Sequence, residues 1–123
     1  MKRALITGIT GQDGAYLAKF LIKKNYKVYG TFRRTSTPNF WRLKYLKILE
    51  KINLIPSDIL DYGSIYQSIK ISKPNEIYNL AAQSFVKVSF EQPSVTTELD
   101  GVSTLRYLEA IRLLNPKIKF YQA

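Results

Sequence analysis

Apolar and polar positions follow two alternating patterns along this chain. Short apolar runs, typical of strands, recur five times and predict strands over residues 3–6, 27–32, 53–56, 76–80 and 117–121. Between these runs, apolar residues recur at intervals of three and four, which predicts amphipathic helices. The predicted helices cover residues 15–22, 41–50, 62–72 and 94–114. The pattern therefore predicts the element order β-α-β-α-β-α-β-α-β.

The helical spacing also predicts which side chains face the core. These are Leu17, Ala18, Leu21 and Ile22 in the first helix, Leu43, Leu46 and Leu49 in the second, and Leu99, Val102, Leu105, Leu108 and Ile111 in the last. Asp61 is a candidate N-cap of the third helix, and Pro74 follows its end.

Alternation of strands and helices fixes the expected topology. Right-handed crossovers require a parallel sheet with helices on both faces. We expect a doubly wound α/β fold with strand order 3-2-1-4-5. Ligands of such sheets bind beyond the carboxyl ends of the strands, beside the switch point between strands 1 and 4. The loops after the first four strands should therefore converge on one crevice.

A glycine-rich turn joins the first strand to the first helix, with the sequence Thr-Gly-Ile-Thr-Gly-Gln-Asp-Gly over residues 7–14. We expect Gly8 to permit a tight turn, Gly11 to let the main chain approach a pyrophosphate, and Gly14 to let the helix pack closely on the strand. The helix N-terminus adds free N–H groups and a partial positive charge. This context predicts a Rossmann-type dinucleotide site, although an ordinary turn of another α/β protein can show the same glycine spacing.

Composition narrows the chemistry. The chain has 123 residues, enough for one domain, and contains neither cysteine nor histidine. Disulfides, thiolate or imidazole metal sites and Ser-His-Asp catalysis are therefore excluded, and we expect no metal. The first apolar run ends at Gly8, too early for a signal peptide, and no segment is long enough to cross a membrane. We therefore expect a cytoplasmic protein without a membrane partner.

The formal net charge is +10. A basic balance suits nucleic acid, an acidic surface or an anionic small ligand. The lysines are scattered, and no basic stripe with interleaved aromatic residues is present. We therefore expect an anionic small molecule and no nucleic acid.

Two arginines follow the second strand and bear on the choice of coenzyme. NAD-specific sites place an acidic residue there to bind the ribose 2′-hydroxyl. This chain instead has Arg33 and Arg34, followed by the hydroxyl residues 35–37. Two guanidinium groups can bind a 2′-phosphate, so the sequence favours NADP over NAD. The alternative is an ordinary basic loop.

Two further segments follow strands 3 and 4. Asp58 offers a carboxylate acceptor beside the aliphatic Ile59, a combination that suits an adenine ring, although an aspartate that starts a helix is nearly as good an interpretation. The segment Leu80-Ala81-Ala82-Gln83-Ser84 is largely of small residues, which let the main chain pass beneath the ribose and nicotinamide. Small residues can also serve only to pack a helix on a strand.

Tyr66 and Lys70 form a Tyr-x-x-x-Lys pair, the spacing with which short-chain dehydrogenases lower the pKa of a catalytic phenol. This pair lies on the helix between strands 3 and 4, whereas a working pair belongs on the helix after strand 5. We therefore expect Tyr66 to flank the Ile65–Ile69 core stripe and Lys70 to face solvent.

Four runs of sequence together resemble one family. They are Ala-Leu-Ile-Thr-Gly-Ile-Thr-Gly-Gln-Asp-Gly-Ala-Tyr-Leu over residues 4–17, Arg-Arg-Thr-Ser over 33–36, Leu-Ala-Ala-Gln-Ser over 80–84, and Val-Ser-Phe-Glu-Gln-Pro over 88–93. The chain resembles the GDP-mannose 4,6-dehydratases, which are extended short-chain dehydrogenases/reductases. The resemblance runs the whole length, and the Gly-Gln-Asp-Gly and Ala-Ala-Gln-Ser runs are its most specific parts.

The resemblance implies tightly held NADP that accepts a hydride from C4 of the mannose ring and returns it at C6, after water is eliminated across C5 and C6. It places the pyrophosphate at Gly8, Thr10, Gly11, Gln12 and Asp13, the adenosine phosphate at Arg33, the adenine at Asp58 and Ile59, and the ribose and nicotinamide at residues 80–84. It also implies that Ser84 reaches the GDP-sugar. The arginine loop of this family reaches a neighbouring subunit's coenzyme, which implies a homotetramer.

Two positions depart from the family pattern. Phe85 stands where the family usually has histidine, and Val95 stands at a cofactor-contacting position that many members fill with tyrosine. These departures leave open a GDP-mannoheptose 4,6-dehydratase, a related epimerase or reductase, or a non-catalytic NADP-binding module.

The family's catalytic threonine and glutamate would follow Ala123, so the resemblance implies no catalytic residue within this chain. Because Ala123 comes directly after the fifth strand, we expect residues 1–123 to be the N-terminal, NADP-binding portion of a longer protein that also has a substrate domain.

Overall fold

The fold is a single parallel sheet flanked by helices, seen in a computed structural model that describes residues 1–34, 39–81 and 92–123. The strands are β1 Arg3–Thr7, β2 Lys27–Phe32, β3 Ile52–Pro56, β4 Glu76–Asn79 and β5 Lys119–Gln122. The helices are α1 Gln12–Lys23, α2 Trp41–Tyr45, α3 Tyr62–Ser72, α4 Pro93–Thr96 and α5 Ser103–Leu114. A 3₁₀ turn covers Leu49–Lys51, and a π-helical segment, Thr97–Val102, joins α4 to α5.

The sheet has the order β3-β2-β1-β4-β5, and every neighbouring pair is parallel. This order confirms the doubly wound topology expected from the sequence. Residue Thr7 of β1 lies opposite Thr31 of β2 on one side and Asn79 of β4 on the other. The carboxyl ends of these strands therefore meet at one edge, where the chain reverses its direction of winding.

Apolar side chains fill a core on each face of the sheet. On one face, Ala4, Ile6 and Val28 pack against α1 and the segment around Leu43. On the other, Leu5 and Ile77 pack against α3 and α5. The central strands are covered on both sides, so β1 and β2 carry apolar or small residues with almost no alternation.

Helix α3 forms as the sequence predicts. The Asp61 carboxylate accepts the Gly63 N–H at 3.1 Å, and the helix ends at Lys73, which has a left-handed backbone with φ of 44°. Tyr66 packs at the edge of the core and Lys70 is exposed. Both side chains lie on the helix before β4, as expected of a coincidental Tyr-x-x-x-Lys pair.

The second predicted helix is wrong in its length. A single helix over residues 41–50 is expected, but α2 ends at Tyr45 because Lys47 adopts a left-handed backbone with φ of 60°. Ile48 N–H then donates to the Leu43 carbonyl at 3.0 Å, which closes a Schellman motif and buries Ile48. Such motifs usually contain glycine, and a lysine in this place gives no sequence signal.

The last predicted helix is wrong in its continuity and in its core face. Segment Thr97–Val102 is π-helical, and an extra residue in a turn rotates the next helical residues by about 100°. Leu105 and Leu108, expected in the core, are therefore 64% and 46% exposed. Tyr107 and Ala110 are buried in their place, while Ile111 is buried as predicted.

Candidate functional site

The glycine-rich loop lies at the carboxyl end of β1, in the centre of the sheet. Ile9 N–H donates to the Thr31 carbonyl at 3.3 Å, which joins the loop to the end of β2. The Ile9 side chain lies against Gly30, where a Cβ would come within 2.5 Å of it. Gly30 therefore makes room for the loop, a role that the strand pattern of β2 concealed.

The three loop glycines meet very different surroundings. Gly8 has φ of 69°, and a Cβ there would lie 3.0 Å from the Ala81 nitrogen. A Cβ at Gly14 would lie 2.4 Å from the Gly8 carbonyl oxygen, so glycine is required for the close contact of α1 with the loop. A Cβ at Gly11 would meet only the Gly8 oxygen, at an ordinary 3.4 Å. The space beside Gly11 is open, and the room suits a ligand.

The start of α1 offers main-chain donors. Its N-cap is Gly11, which has no side chain to occupy the first turn. Within the described part of the chain, the N–H groups of Thr10, Gln12, Asp13 and Gly14 have no hydrogen-bond acceptor. Gln12 and Asp13 are also exposed. The loop therefore presents uncompensated N–H dipoles beside an open surface, an arrangement that suits phosphate.

The segment after β4 is held against this loop by a buried threonine. Thr7 Oγ1 accepts the N–H groups of Leu80 and Ala81, each at 3.0 Å, and donates to Asn79 Oδ1 at 2.6 Å. Asn79 Nδ2 in turn donates to Gln122 Oε1 at 2.7 Å, which ties β4 to β5. Leu80 and Ala81 therefore lie beside Gly8, as predicted. Sequence reasoning missed Thr7, Asn79 and Gln122, which the apolar pattern treats as ordinary strand residues.

Arg33 and Arg34 directly follow β2 and are both exposed. Neither guanidinium group has a hydrogen bond or ion pair with any residue in the described ranges. Both side chains are therefore available to an anionic ligand at the edge of the sheet where the glycine loop lies.

Asp58 and Ile59 lie in the turn between β3 and α3. Asp58 Oδ1 accepts the Leu60 N–H at 2.9 Å, which shapes the turn, while Asp61 provides the helix cap. The Ile59 carbonyl accepts a hydrogen bond of 3.3 Å from Arg106 of α5. Asp58 is therefore not the helix N-cap, and Oδ2 accepts no hydrogen bond from a described group.

Several predicted site residues cannot be placed. Ala82, Gln83 and Ser84 lie outside the described residues, as do the hydroxyl residues 35–37. Val95 lies in α4, but its side chain is outside the description. Among the described residues, no cluster of acidic side chains is arranged to hold a metal ion, and no helix is long and apolar enough to span a membrane.

Comparison with known proteins identifies the family. A sequence profile described as GDP-mannose 4,6 dehydratase matches residues 5–123. The chain belongs to the GDP-mannose 4,6-dehydratase family. A Drosophila melanogaster protein named GDP-mannose 4,6 dehydratase is 51% identical over 99% of this chain and 33% of its own length. The GDP-mannose 4,6-dehydratase of Yersinia enterocolitica is 47% identical over the whole chain and 35% of that protein.

The chain therefore spans about a third of the length of the curated dehydratases that it matches. Among solved structures, the UDP-glucose 4-epimerase of Thermus thermophilus, in complex with NAD, superposes with a TM-score of 0.77 at 23% identity over 90% of this chain and 34% of the epimerase. This likeness confirms the Rossmann-type fold. The family resemblance drawn from the four sequence runs is likewise confirmed.

Proposed function

We propose that this chain is the NADP-binding portion of an enzyme that dehydrates GDP-mannose to GDP-4-keto-6-deoxymannose. The observation that carries the proposal is the family match over residues 5–123, since both curated relatives described above are named for this reaction. The open amide cradle at Gly11 supports the coenzyme assignment from independent geometry.

The chain's own residues would hold the coenzyme in a fixed order along the strand ends. The N–H groups of residues 10–14 bind the pyrophosphate, and the segment from Leu80 runs under the ribose and nicotinamide. Asp58 Oδ2 accepts from the adenine amino group, and Ile59 contacts the ring face. The bound coenzyme would accept and return the hydride. No residue of this chain is assigned to catalysis.

The direct test is turnover. The enzyme that contains this chain, incubated with NADP and GDP-mannose, should give a product that has lost one water, measured by mass spectrometry. Gly11→Val should abolish both product and NADPH binding, because its side chain fills the place of the pyrophosphate. Conversion of GDP-mannoheptose alone would select the related dehydratase. NADPH binding without conversion of either sugar would favour a non-catalytic module.

The choice of NADP rests on Arg33 and Arg34. Their exposed, unengaged guanidinium groups suit a 2′-phosphate, and each charge-assisted contact strengthens binding. Replacing both by alanine should narrow the NADP-over-NAD preference at least tenfold, or about 1.4 kcal/mol. Titration with NADPH and NADH in parallel measures the ratio. An unchanged ratio would refute the arginine assignment while leaving the pyrophosphate cradle intact.

The family resemblance also supports a cytoplasmic homotetramer in which the arginine loop reaches a neighbouring subunit. Light scattering of the full-length enzyme tests the subunit number.

A further inference from the structure

One side chain from α2 reaches back to the glycine loop. Arg42 donates from Nη1 to the Thr10 carbonyl oxygen at 3.1 Å, across 32 residues of sequence. The N–H of the same peptide group, that of Gly11, donates to the Gly8 carbonyl at 3.1 Å. Both polar groups of the Thr10–Gly11 peptide are thus engaged, so the orientation of its plane is fixed before any ligand arrives.

Helix α2 is well anchored for this contact. Leu43 is completely buried in the core, and the Phe40 ring meets the Phe32 ring edge-on with centroids 5.1 Å apart. The Arg42 guanidinium lies over the Trp41 ring at 4.5 Å, and the side chain is half-buried. The donor is therefore held at its place by packing on several sides, and the contact is more than a surface encounter.

The orientation of this peptide matters because it lies at the N-cap of α1, where the loop has only N–H groups on offer. A peptide flip would turn the Thr10 carbonyl dipole toward the cradle and oppose a bound phosphate. It would also break the Gly11 hydrogen bond. An arginine on the Thr10 carbonyl prevents the flip and adds a cation near the anion site.

We propose that Arg42 is a positioning residue that locks the Thr10–Gly11 peptide so that the loop amides receive the coenzyme pyrophosphate. The inference rests on the proposed coenzyme site, because the ligand is the one assigned there. It adds a residue on a different helix to the loop that the family motif defines.

Two variants and a matched control isolate the effect. Arg42→Met keeps the stem of the side chain but removes every donor, and Arg42→Lys restores one donor and the charge. Lys44→Met removes the same charge from an exposed position on the same helix. If net charge alone matters, Lys44→Met and Arg42→Met will behave alike.

The first measurement needs no ligand. Amide hydrogen exchange, followed residue by residue by NMR, should show Gly11 exchanging at least fivefold faster in Arg42→Met than in the unmodified protein or in Lys44→Met. Exchange at Leu5, in the centre of β1, should be unchanged and shows that the fold is intact. Unchanged exchange at Gly11 would overturn the lock, whatever the protein binds.

The second measurement compares two ligands. Arg42→Met should weaken NADPH binding at least tenfold but change the affinity for adenosine 2′-monophosphate, which has no pyrophosphate, less than twofold. Arg42→Lys should recover NADPH binding to within about threefold of the unmodified protein. Equal losses for both ligands, or equal losses in Lys44→Met, would overturn the positioning role. Failure of the unmodified protein to bind either ligand would instead overturn the proposed function.

Discussion

At the scale of single residues, the glycine loop shows that one residue type can serve opposite ends. Gly14 is needed by the fold, because a Cβ there would lie 2.4 Å from a carbonyl oxygen of the loop. Gly11 is not needed by the fold, since its backbone has ordinary angles and a Cβ would meet one atom at 3.4 Å. The reason for glycine at position 11 must therefore lie outside the chain, in a ligand.

This contrast gives a paired prediction. Gly14→Ala should lower the free energy of unfolding by about 1–3 kcal/mol through overpacking. Gly11→Ala should change it by less than about 0.5 kcal/mol, because the weaker N-cap is offset by lower entropy of the unfolded chain. Gly11→Ala should nevertheless weaken NADPH binding at least tenfold. Urea unfolding and fluorescence titration separate the two effects, and equal binding by Gly11→Ala and the unmodified protein would contradict the cradle.

Sequence patterns reached the loop glycines because strand, turn and helix lie side by side in the chain. They did not reach Thr7 or Arg42. Thr7 looks like an ordinary strand residue, although its buried hydroxyl organises the segment after β4. Arg42 contacts Thr10 only because α2 docks where it does, and that docking depends on distant packing at Leu43.

At the scale of whole elements, helix ends decided which predictions held. Asp61 is a cap that sequence alone can detect, and α3 has the predicted end at Ser72. The early end of α2 depends on a lysine in a left-handed backbone, and the face of α5 depends on a π-helical segment. Neither feature has a strong residue preference, so regular helical spacing predicts through both.

The cap of α3 supports a quantitative prediction. Asp61→Ala removes the acceptor of the Gly63 N–H and should lower the free energy of unfolding by about 1 kcal/mol. Asp61→Asn keeps an oxygen acceptor and should lose less than half of that. Urea unfolding of both variants provides the measurement. A loss in Asp61→Asn as large as that in Asp61→Ala would assign the effect to charge at the helix N-terminus rather than to the hydrogen bond.

At the scale of the whole molecule, topology was the most predictable property. Right-handed crossovers and five alternating strands leave few arrangements, and the order 3-2-1-4-5 followed before any contact was known. The pattern could not supply the interior polar chemistry, since burial on both faces of the sheet is visible as apolar runs but buried hydroxyl groups are not. Tyr107, on the rotated face of α5, is the largest fully buried side chain among the described residues.

Tyr107 makes stability depend on alkaline pH. Burial raises the pKa of its phenol well above the ordinary value of 10, although the nearby Thr31 slightly favours ionisation. The Tyr26 pKa is raised mainly by its hydrogen bond to Glu76, and the Tyr78 pKa mainly by burial. Because folding raises these pKa values, the stabilisation is complete below pH 10 and is lost as the pH rises from 10 toward the folded-state values.

Tyr107→Phe isolates the buried group. Above pH 10, each unfolded-state proton lost costs about 1.4 kcal/mol per pH unit, so the variant's unfolding free energy should fall with a slope shallower by that amount. At neutral pH the variant should be at least as stable as the unmodified protein, because the Tyr107 hydroxyl has no hydrogen-bond partner among the described groups. Urea unfolding from pH 8 to pH 11 measures both effects, with Tyr45→Phe, an exposed position, as the control. Parallel pH curves for all three proteins would mean that the phenol opens to water before the fold does.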